Sequence, residues 1–227
     1  FVADGVFKTK SELDAANASA KAKGFTAFQE DATGAGDVRF KDLNGDGHIT
    51  WDGDRQMIGN SIPKSIYGLN INLEYRGFDL MAYFQGTAGS DIFSGVFENT
   101  QGGKTTRNQL AYVHNRWKSE SDPGNGIVPR AVVGDPNNNN RPSTLMVSSG
   151  NFLKLRQLSV GYSLPDYMIS KIGMSNLRFY VSSNNLLTFS KFKGFDPEVG
   201  GDNLNRGIDN LGYPNPRTIV FGVQMGF

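Results

Sequence analysis

A short run of oxygen-bearing side chains in the first quarter of the chain has the spacing of a metal-binding loop. Residues 42–49 read DLNGDGHI, with oxygen donors at the first, third and fifth positions, glycine at the sixth and an apolar residue at the eighth. This spacing is typical of the start of an EF-hand-type calcium loop, in which alternate oxygen donors point inward around one hard cation. The seventh residue would contribute its backbone carbonyl. The sequence therefore predicts Ca²⁺ binding by Asp42, Asn44, Asp46 and His48.

The end of this loop departs from the EF-hand pattern. The twelfth position, where an EF-hand places a bidentate carboxylate, is Gly53 in this chain. Asp52 and Asp54 flank it, and either could reach the ion if the backbone shifts by one residue. Asp54 is therefore the fifth candidate ligand. The alternative is a loop held together by its own Asx turns, without an ion.

Catalytic chemistry has no comparable support in the sequence. The chain has no cysteine, which excludes thiolate nucleophiles, thiolate metal sites and disulfides. The two histidines, His48 and His114, lie in unrelated contexts, and no G-x-S-x-G nucleophile elbow occurs. The carboxylates are scattered through loops, so no glycosidase pair stands out. We expect no enzymatic activity.

The composition narrows the class of protein. Hydrophobic residues make up 38% of the chain, which is low for a compact soluble domain, and 28 of the 227 residues are glycine, which is high. The 23 basic and 22 acidic side chains nearly cancel, so no electrostatic footprint for nucleic acid is present. No apolar run approaches the length of about 18 residues that a transmembrane helix needs. A transmembrane β-strand of about 10 alternating residues remains possible.

One helix and five strands are predicted. Ser11 is the expected N-cap of a helix that continues through Ala22, and Gly24 would end it. Five later segments alternate apolar and polar residues with a period of two, which is typical of strands with one apolar face. Arg76 and Gly77 form the turn of the first hairpin. The predicted strands are residues 67–75, 78–85, 152–164, 177–187 and 219–227.

The connections between these strands differ in length in a regular way. In antiparallel order the short connections, 76–77 and 165–176, fall at one end of the sheet, and the long segments fall at the other: 1–65, 88–151 and 188–216. Outer-membrane barrels have short periplasmic turns, long outer loops and aromatic residues near the ends of the apolar strand faces. The pattern favours an all-β fold, an antiparallel transmembrane β-barrel segment with long extracellular loops. Five strands cannot close a barrel, and Phe1 is not an initiator, so we expect a piece of a longer protein.

A secreted protein is the alternative. The same strands could form a calcium-stabilised β-sandwich that binds glycans or adheres to surfaces. Such a sandwich would stay in solution without detergent, whereas lipid-facing strands would aggregate.

Several motifs, in order along the chain, resemble the SusC/RagA family of TonB-linked outer membrane transporters. Residues 36–47, followed by Asp54-Arg55 and Ile58-Gly59, resemble the family signature GDIKYKDLNGDG…DR…IG. The departure is one extra residue between Ile49 and Asp54. Further matches follow in family order: 67–68, 75–80, 84–86, 115–117, 129–130, 151–156, 161–165, 184–188, 194–198, 212–214, 216–218 and the terminal Phe227.

The resemblance implies that the chain supplies the C-terminal strands of a TonB-dependent transporter barrel of about 22 strands. Residues 1–65 would form an extracellular loop region with the short helix and the calcium loop, and residues 66–227 the barrel strands with outer loops 88–151 and 188–216. It also implies the outer membrane of a Gram-negative bacterium, with membrane lipid against the apolar strand faces. Cargo would be an oligosaccharide or a peptide, imported with a SusD-like lid lipoprotein. TonB would act through parts of the protein outside this chain.

Overall fold

The computed structural model of the protein describes residues 1–96, 108–200 and 205–227. Parts of the predicted outer loops 88–151 and 188–216 lie outside these residues. The chain divides into two compact units. The first comprises residues 1–59, 93–148 and 208–211, and the second comprises residues 60–92, 149–207 and 212–227. Within the described ranges, no helix is both long and apolar enough to cross a membrane.

Most of the regular secondary structure in the described residues is β-strand. In chain order the elements are β1 (Ala3–Val6), α1 (Lys10–Ala22), β2 (Val38–Phe40), β3 (Ser65–Tyr75), β4 (Phe78–Ala88), β5 (Asp91–Ser94), β6 (Val147–Ser149), β7 (Phe152–Ser163), α2 (Asp166–Ile169), β8 (Asn176–Ser190), β9 (Ile208–Asp209) and β10 (Thr218–Gly226). Short 3₁₀ turns occupy Ala111–Asn115, Thr144–Met146 and Ser170–Ile172. The five long strands form one sheet in the order β10-β8-β7-β4-β3, and the small sheets are β1-β2 and β6-β5-β9. The prediction of an all-β, antiparallel fold is confirmed for these five strands.

The register of the five-stranded sheet places the predicted apolar residues on one face. Side chains directly opposite each other on paired strands share a face. Three rows cross all five strands: Tyr75, Phe78, Tyr162, Phe179 and Val223; Leu73, Leu80, Val160, Val181 and Phe221; Ile71, Ala82, Leu158, Ser183 and Ile219. Tyr75 exposes 68% of its surface, Phe78 57% and Phe221 78%. This apolar face is therefore uncovered in the chain.

The opposite face of the same sheet is polar. Its rows include Asn70, Tyr83, Gln157, Asn184 and Thr218, and next to them Asn72, Met81, Ser159, Ser182 and Val220. Near the short turns, Arg178 Nε of β8 donates to Asp79 Oδ1 of β4 at 2.8 Å. The bond spans β7 at Gly161, where a Cβ would lie 2.5 Å from both the Asp79 carboxylate and the Arg178 guanidinium. Glycine is thus needed for an ion pair across the middle strand.

Two β-bulges interrupt the regular alternation of this sheet. Tyr83 pairs with Gln157 while Phe84 pairs with Leu155, which leaves Arg156 as an extra residue of β7. The pairing of β7 with β8 shifts at the same place. A bulge bends the strand and re-aims the extra side chain. The apolar alternation of Leu158, Val160 and Tyr162 does not continue to Arg156, but the prediction of one strand over 152–164 did not include this break.

Helix α1 begins earlier than predicted. Its N-cap is Thr9, whose hydroxyl oxygen accepts the backbone N–H of Glu12 at 3.2 Å. The prediction of Ser11 as N-cap is wrong, because the backbone of Thr9 is extended and Glu12 stands three residues after it, as in a capping box. Ser11 lies inside the first turn. The predicted end of the helix is confirmed, since Gly24 follows it at a φ of +94°.

The first unit is built around β2. Val38 and Phe40 pack with Phe1 and Ile49 in a small apolar core. Three of the four asparagines at 137–140, predicted as loop, are buried: Asn137, Asn139 and Asn140. The Asn137 amide donates to the Val38 carbonyl at 3.0 Å, and Asn139 Oδ1 accepts the Val38 N–H at 2.8 Å. These amides satisfy backbone groups that no further strand pairs.

Candidate functional site

The predicted calcium loop is a tight turn held by its own side chains. The Asp42 carboxylate accepts the backbone N–H groups of Gly45 at 2.7 Å and Gly47 at 2.8 Å. Asn44 Oδ1 accepts the Asp46 N–H at 3.0 Å, and the Asn44 amide donates to Asp46 Oδ2 at 2.9 Å. Such side-chain-to-backbone bonds are those expected of the alternative interpretation, a loop that its own Asx turns hold together without an ion. Each carboxylate or amide oxygen has two acceptor positions, so such turns leave acceptor capacity for a cation.

The side chains of the remaining two candidate ligands, His48 and Asp54, bond to backbone groups. The imidazole Nδ1 of His48 lies 2.7 Å from the carbonyl oxygen of Ala27. Asp54 is fully buried, and its two carboxylate oxygens accept the N–H groups of Leu43 and Thr50, both at 2.7 Å. Among the described residues, no group of three or more His, Asp or Glu side chains is placed to hold a metal. The structure thus brings together Asp42, Asn44 and Asp46 only.

The turn has a negative charge at Asp46 and a positive charge beside it at Lys23. Hydrogen bonds from the His48 backbone N–H and from the Asn44 amide lower the pKa of Asp46. Asp46 is therefore ionised at neutral pH. The ammonium of Lys23 donates to the Gly45 carbonyl at 2.9 Å, so a cation of the protein already lies beside the turn.

A buried ion-pair cluster on the polar face of the five-stranded sheet was not predicted. Lys154 of β7 is 1% exposed, and its Nζ donates to Asp196 at 2.6 Å and to Glu198 at 2.7 Å. Arg156 forms a short ion pair with the same Glu198. We call these four residues the Lys154 cluster. Its two cations and two anions cancel, which is how a charged lysine remains tolerable in a buried position.

The bulge in β7 places Arg156 in this cluster. As the extra residue, Arg156 turns to the polar face beside Gln157 rather than to the apolar face. Its guanidinium donates to Gln85 at 2.9 Å and to Asn185 at 3.1 Å. Asn185 lies at the matching irregularity of β8 and has a φ of +51°. The two bulges together fix a guanidinium and an amide side by side.

An open cavity of about 480 Å³ lies next to this pair. We call it the Arg156 pocket; its lining residues are Tyr83, Arg156, Gln157, Asn184, Asn185, Pro216 and Thr218. Four of them, Tyr83, Gln157, Asn184 and Thr218, form one continuous row across four strands. The volume falls in the range of about 300–1,000 Å³ that small-molecule sites occupy. The lining offers amides, hydroxyls and one guanidinium.

The pKa of Asp196 is shifted by this environment. Burial acts to raise the pKa and is the largest single influence. Hydrogen bonds from the Lys154 ammonium and from the backbone N–H groups of Glu198 and Asn215 together outweigh it and lower the pKa below the ordinary value of 3.8. Asp196 is therefore ionised at neutral pH. Its ionised form contributes to the free energy of unfolding, because the folded state binds a proton at this site less strongly than the unfolded state.

This shift gives a pH-dependent stability. A carboxylate with a lowered pKa in the folded state stabilises fully above its ordinary value, and the effect is lost as the pH falls through the lowered pKa. We expect Asp196→Asn to lower the melting temperature of the full-length protein at pH 7, with a difference from wild type that shrinks below pH 4. Asp31→Asn, at an exposed aspartate, is the control. An Asp196→Asn deficit that stays constant down to pH 2 would contradict this assignment.

Sequence reasoning missed the Lys154 cluster because its members are far apart in the chain. Lys154 and Asp196 are 42 residues apart, and the motifs that contain them, 151–156 and 194–198, were recognised only as family matches. A usable signal was present. A lysine and an arginine within one predicted membrane strand require counter-charges, since unpaired charges are costly there.

Comparison with known proteins gives relatives of one kind. The chain is 34% identical over 212 residues to "TonB-dependent receptor P3" of Formosa agariphila, covering 90% of this chain and 20% of that protein. It is 31% identical over 229 residues to "TonB-dependent receptor P26" of the same organism, covering 98% of this chain and 22% of that protein. It is 23% identical over 190 residues to "TonB-dependent receptor SusC" of Bacteroides thetaiotaomicron, covering 83% of this chain and 17% of that protein. The chain thus spans about a fifth of the length of the curated relatives that it matches.

Solved structures share the fold. The RagAB peptide importer in its "open-open" state superimposes with a TM-score of 0.68 at 23% identity, covering 88% of this chain and 21% of that one. Its "closed-closed" state gives a TM-score of 0.65 at 25% identity, covering 83% and 20%. No family model matches the chain.

Proposed function

Because the chain belongs to the SusC family of TonB-dependent receptors, we propose that it forms part of the barrel wall of an outer-membrane importer. The observation that carries this proposal is the uncovered apolar face of the five-stranded sheet. Contiguous apolar patches of more than a few hundred Å² are rare on soluble monomers and mark an interface or a membrane. Lipid would cover this face. A secreted β-sandwich would bury such a face against a second sheet, and it is disfavoured because Tyr75, Phe78 and Phe221 of this face are exposed.

The polar face has the properties expected of a barrel interior. It carries the Asp79–Arg178 ion pair, the Lys154 cluster and the Arg156 pocket. Barrel strands alternate lipid-facing apolar residues with lumen-facing polar ones. We therefore assign the polar face to the lumen and the two long connections after β4 and β8 to the outer mouth.

The whole receptor would import a polar oligomer without modifying it. We propose an oligosaccharide or a peptide as cargo, a SusD-like lipoprotein as the lid over the mouth, and TonB as the energy-coupling partner through segments outside this chain. The similarity to the RagAB peptide importer supports a pairing of this kind. We propose no enzymatic activity for the receptor, and the support is that the relatives are named as receptors.

Uptake in the native bacterium tests the proposal. Cells with the intact receptor should take up its cargo, and deletion of the receptor gene or of TonB should abolish that uptake while the cargo stays chemically unchanged in the medium. Uptake that persists without TonB would contradict the transporter assignment. Cleavage of the cargo by the purified receptor would contradict the assignment as a non-enzyme.

We also propose that Asp42, Asn44 and Asp46 bind Ca²⁺ on the outer side and stiffen the segment before β3. The support is the three adjacent oxygen-bearing side chains, since oxygen ligands favour Ca²⁺ over transition metals. The His48 carbonyl would complete the set. Asp54 would hold the loop in shape, because its carboxylate accepts backbone N–H groups at both ends of the loop, those of Leu43 and Thr50.

A calcium titration checks this proposal. Binding to the folded state alone stabilises by mass action, so millimolar Ca²⁺ should raise the melting temperature of the full-length receptor and a chelator should reverse the rise. Asp46→Asn should remove the effect. Asp31→Asn, at an exposed aspartate of the same compact unit outside the loop, should keep it. An equal melting temperature with and without millimolar Ca²⁺ would refute the site.

A further inference from the structure

We propose that the Arg156 pocket is a cargo subsite for a neutral, hydroxyl-rich saccharide unit. The inference rests on the proposed importer function, which places this pocket on the lumen side. It assigns one part of the cargo path to residues of this chain and commits to one chemical class of ligand.

The charges around the pocket favour a neutral ligand. Of the described residues that line the pocket, Arg156 alone is charged, and its guanidinium is paired with Glu198. Lys154 is likewise offset by Asp196 and Glu198. A phosphate, sulfate or carboxylate ligand at the remaining N–H groups of Arg156 would lie beside the Glu198 carboxylate and would meet a cluster without net positive charge. The cost of such an arrangement disfavours an anion.

Several polar groups of the lining are available to a ligand. Within the described residues, the Gln157 amide and the Tyr83 hydroxyl make no hydrogen bond, and both stand in the central row of the polar face. Arg156 uses one N–H each from Nε, Nη1 and Nη2, which leaves two of its five donors free. A primary amide offers donors and acceptors together, and so does a sugar hydroxyl. The free groups therefore match a ligand with mixed donors and acceptors.

The other lining groups are held in place rather than free. The Asn185 amide donates to the Pro216 carbonyl at 3.0 Å, and the Asn184 amide donates to the Thr218 hydroxyl at 3.2 Å. Asn215, beside the wall residue Pro216, donates to Glu198 at 3.0 Å. The Lys154 cluster thus fixes one wall of the pocket before any ligand arrives, which lowers the ordering cost of binding.

A saccharide fits this site better than a peptide. Peptides are commonly bound by pairing with an open strand edge. The pocket lies mainly on the faces of β4, β7 and β8, and each of these strands is paired on both sides. Among the described residues, the lining contains no Leu, Ile, Val, Met or Phe side chain to receive an apolar peptide side chain. The Tyr83 ring and Pro216 offer the limited apolar surface that the C–H face of a sugar ring can contact.

Binding to the full-length receptor with its lid tests the subsite. The probes are an array of neutral oligosaccharides, a matched array of uronic-acid and sulfated oligosaccharides, and a mixture of peptides. The expected result is binding of a neutral oligosaccharide. Gln157→Ala and Tyr83→Phe should each weaken it about 5- to 10-fold, the size of one lost hydrogen bond. Gln224→Ala, a glutamine of the same face outside the pocket, is the matched control and should leave the affinity unchanged.

The outcomes separate the subsite from the proposed function. Binding of peptides or acidic glycans only, or of no probe, would overturn the saccharide assignment. Equal affinity of the Gln157→Ala and Tyr83→Phe variants and of wild type for a bound neutral glycan would overturn the subsite. In either case TonB-dependent uptake in the native bacterium would leave the importer function standing. Loss of TonB dependence in that uptake assay would refute the importer function itself.

Discussion

Replacing Lys154 with methionine is expected to destabilise the full-length receptor by about 3–5 kcal/mol, the usual cost of removing one partner from a buried ion pair. The ammonium is almost fully buried and is shared by Asp196 and Glu198. Without it, the two carboxylates lose their common counter-ion in a site that excludes most water. The measurement is the thermal unfolding of the purified receptor in detergent, together with protease cleavage of the segment around Asp196.

The matched control is Lys193→Met, at an exposed lysine of the same connection. A surface substitution of this kind usually changes stability by less than about 0.5 kcal/mol. We expect Lys154→Met to lower the melting temperature and to expose the segment to protease, and Lys193→Met to do neither. Equal behaviour of the two variants would show that the Lys154 cluster does not hold the connection after β8.

The second large effect is expected at the apolar face. Val223→Arg should destabilise the barrel by about 2–4 kcal/mol and lower the amount of receptor in the membrane, because an arginine at mid-strand would face hydrocarbon. Val223 lies in the row of Tyr75, Phe78, Tyr162 and Phe179 and is half exposed in the chain. The measurements are the receptor level in isolated outer membranes and the folded fraction on unheated gels.

Val220→Arg is the matched control, since it changes the same residue type on the same strand. Val220 pairs with Ser182 on the polar face, where an arginine would meet the lumen instead of lipid. We expect near-normal membrane levels for this variant. If Val223→Arg were as well tolerated as Val220→Arg, the assignment of the two faces would be wrong.

The long strands were predictable from the sequence, whereas the pocket was not. A sheet with one apolar and one polar face imposes a period of two on every strand, so the pattern of residues 219–227 directly reflects the fold. The bulge at Arg156 changes which face a residue takes without changing the local composition. The row of Tyr83, Gln157, Asn184 and Thr218 exists only once the register of four strands is known.

Short-range sequence patterns predicted the local structure correctly where the hydrogen-bonding groups lie a few residues apart in the chain. The turn at 42–49 and the end of α1 at Gly24 depend on residues a few positions apart. The N-cap was misplaced by two residues because Thr9 and Ser11 are both good caps, and only the position of Glu12 distinguishes them. The asparagines at 137–140 resemble an exposed loop, but the amides of Asn137 and Asn139 bond to β2, about 100 residues earlier in the chain.

The most direct test of the account asks which face of the five-stranded sheet meets lipid. The chain has no cysteine, so after removal of any cysteine elsewhere in the receptor, single spin labels can be placed along β10 in reconstituted membranes. Labels at 219, 221 and 223 should be accessible to oxygen and protected from a water-soluble nickel reagent, and labels at 220 and 224 should show the reverse. Equal access of the nickel reagent to both sets would contradict a membrane-spanning strand and, with it, the assignment of this chain to a transporter wall.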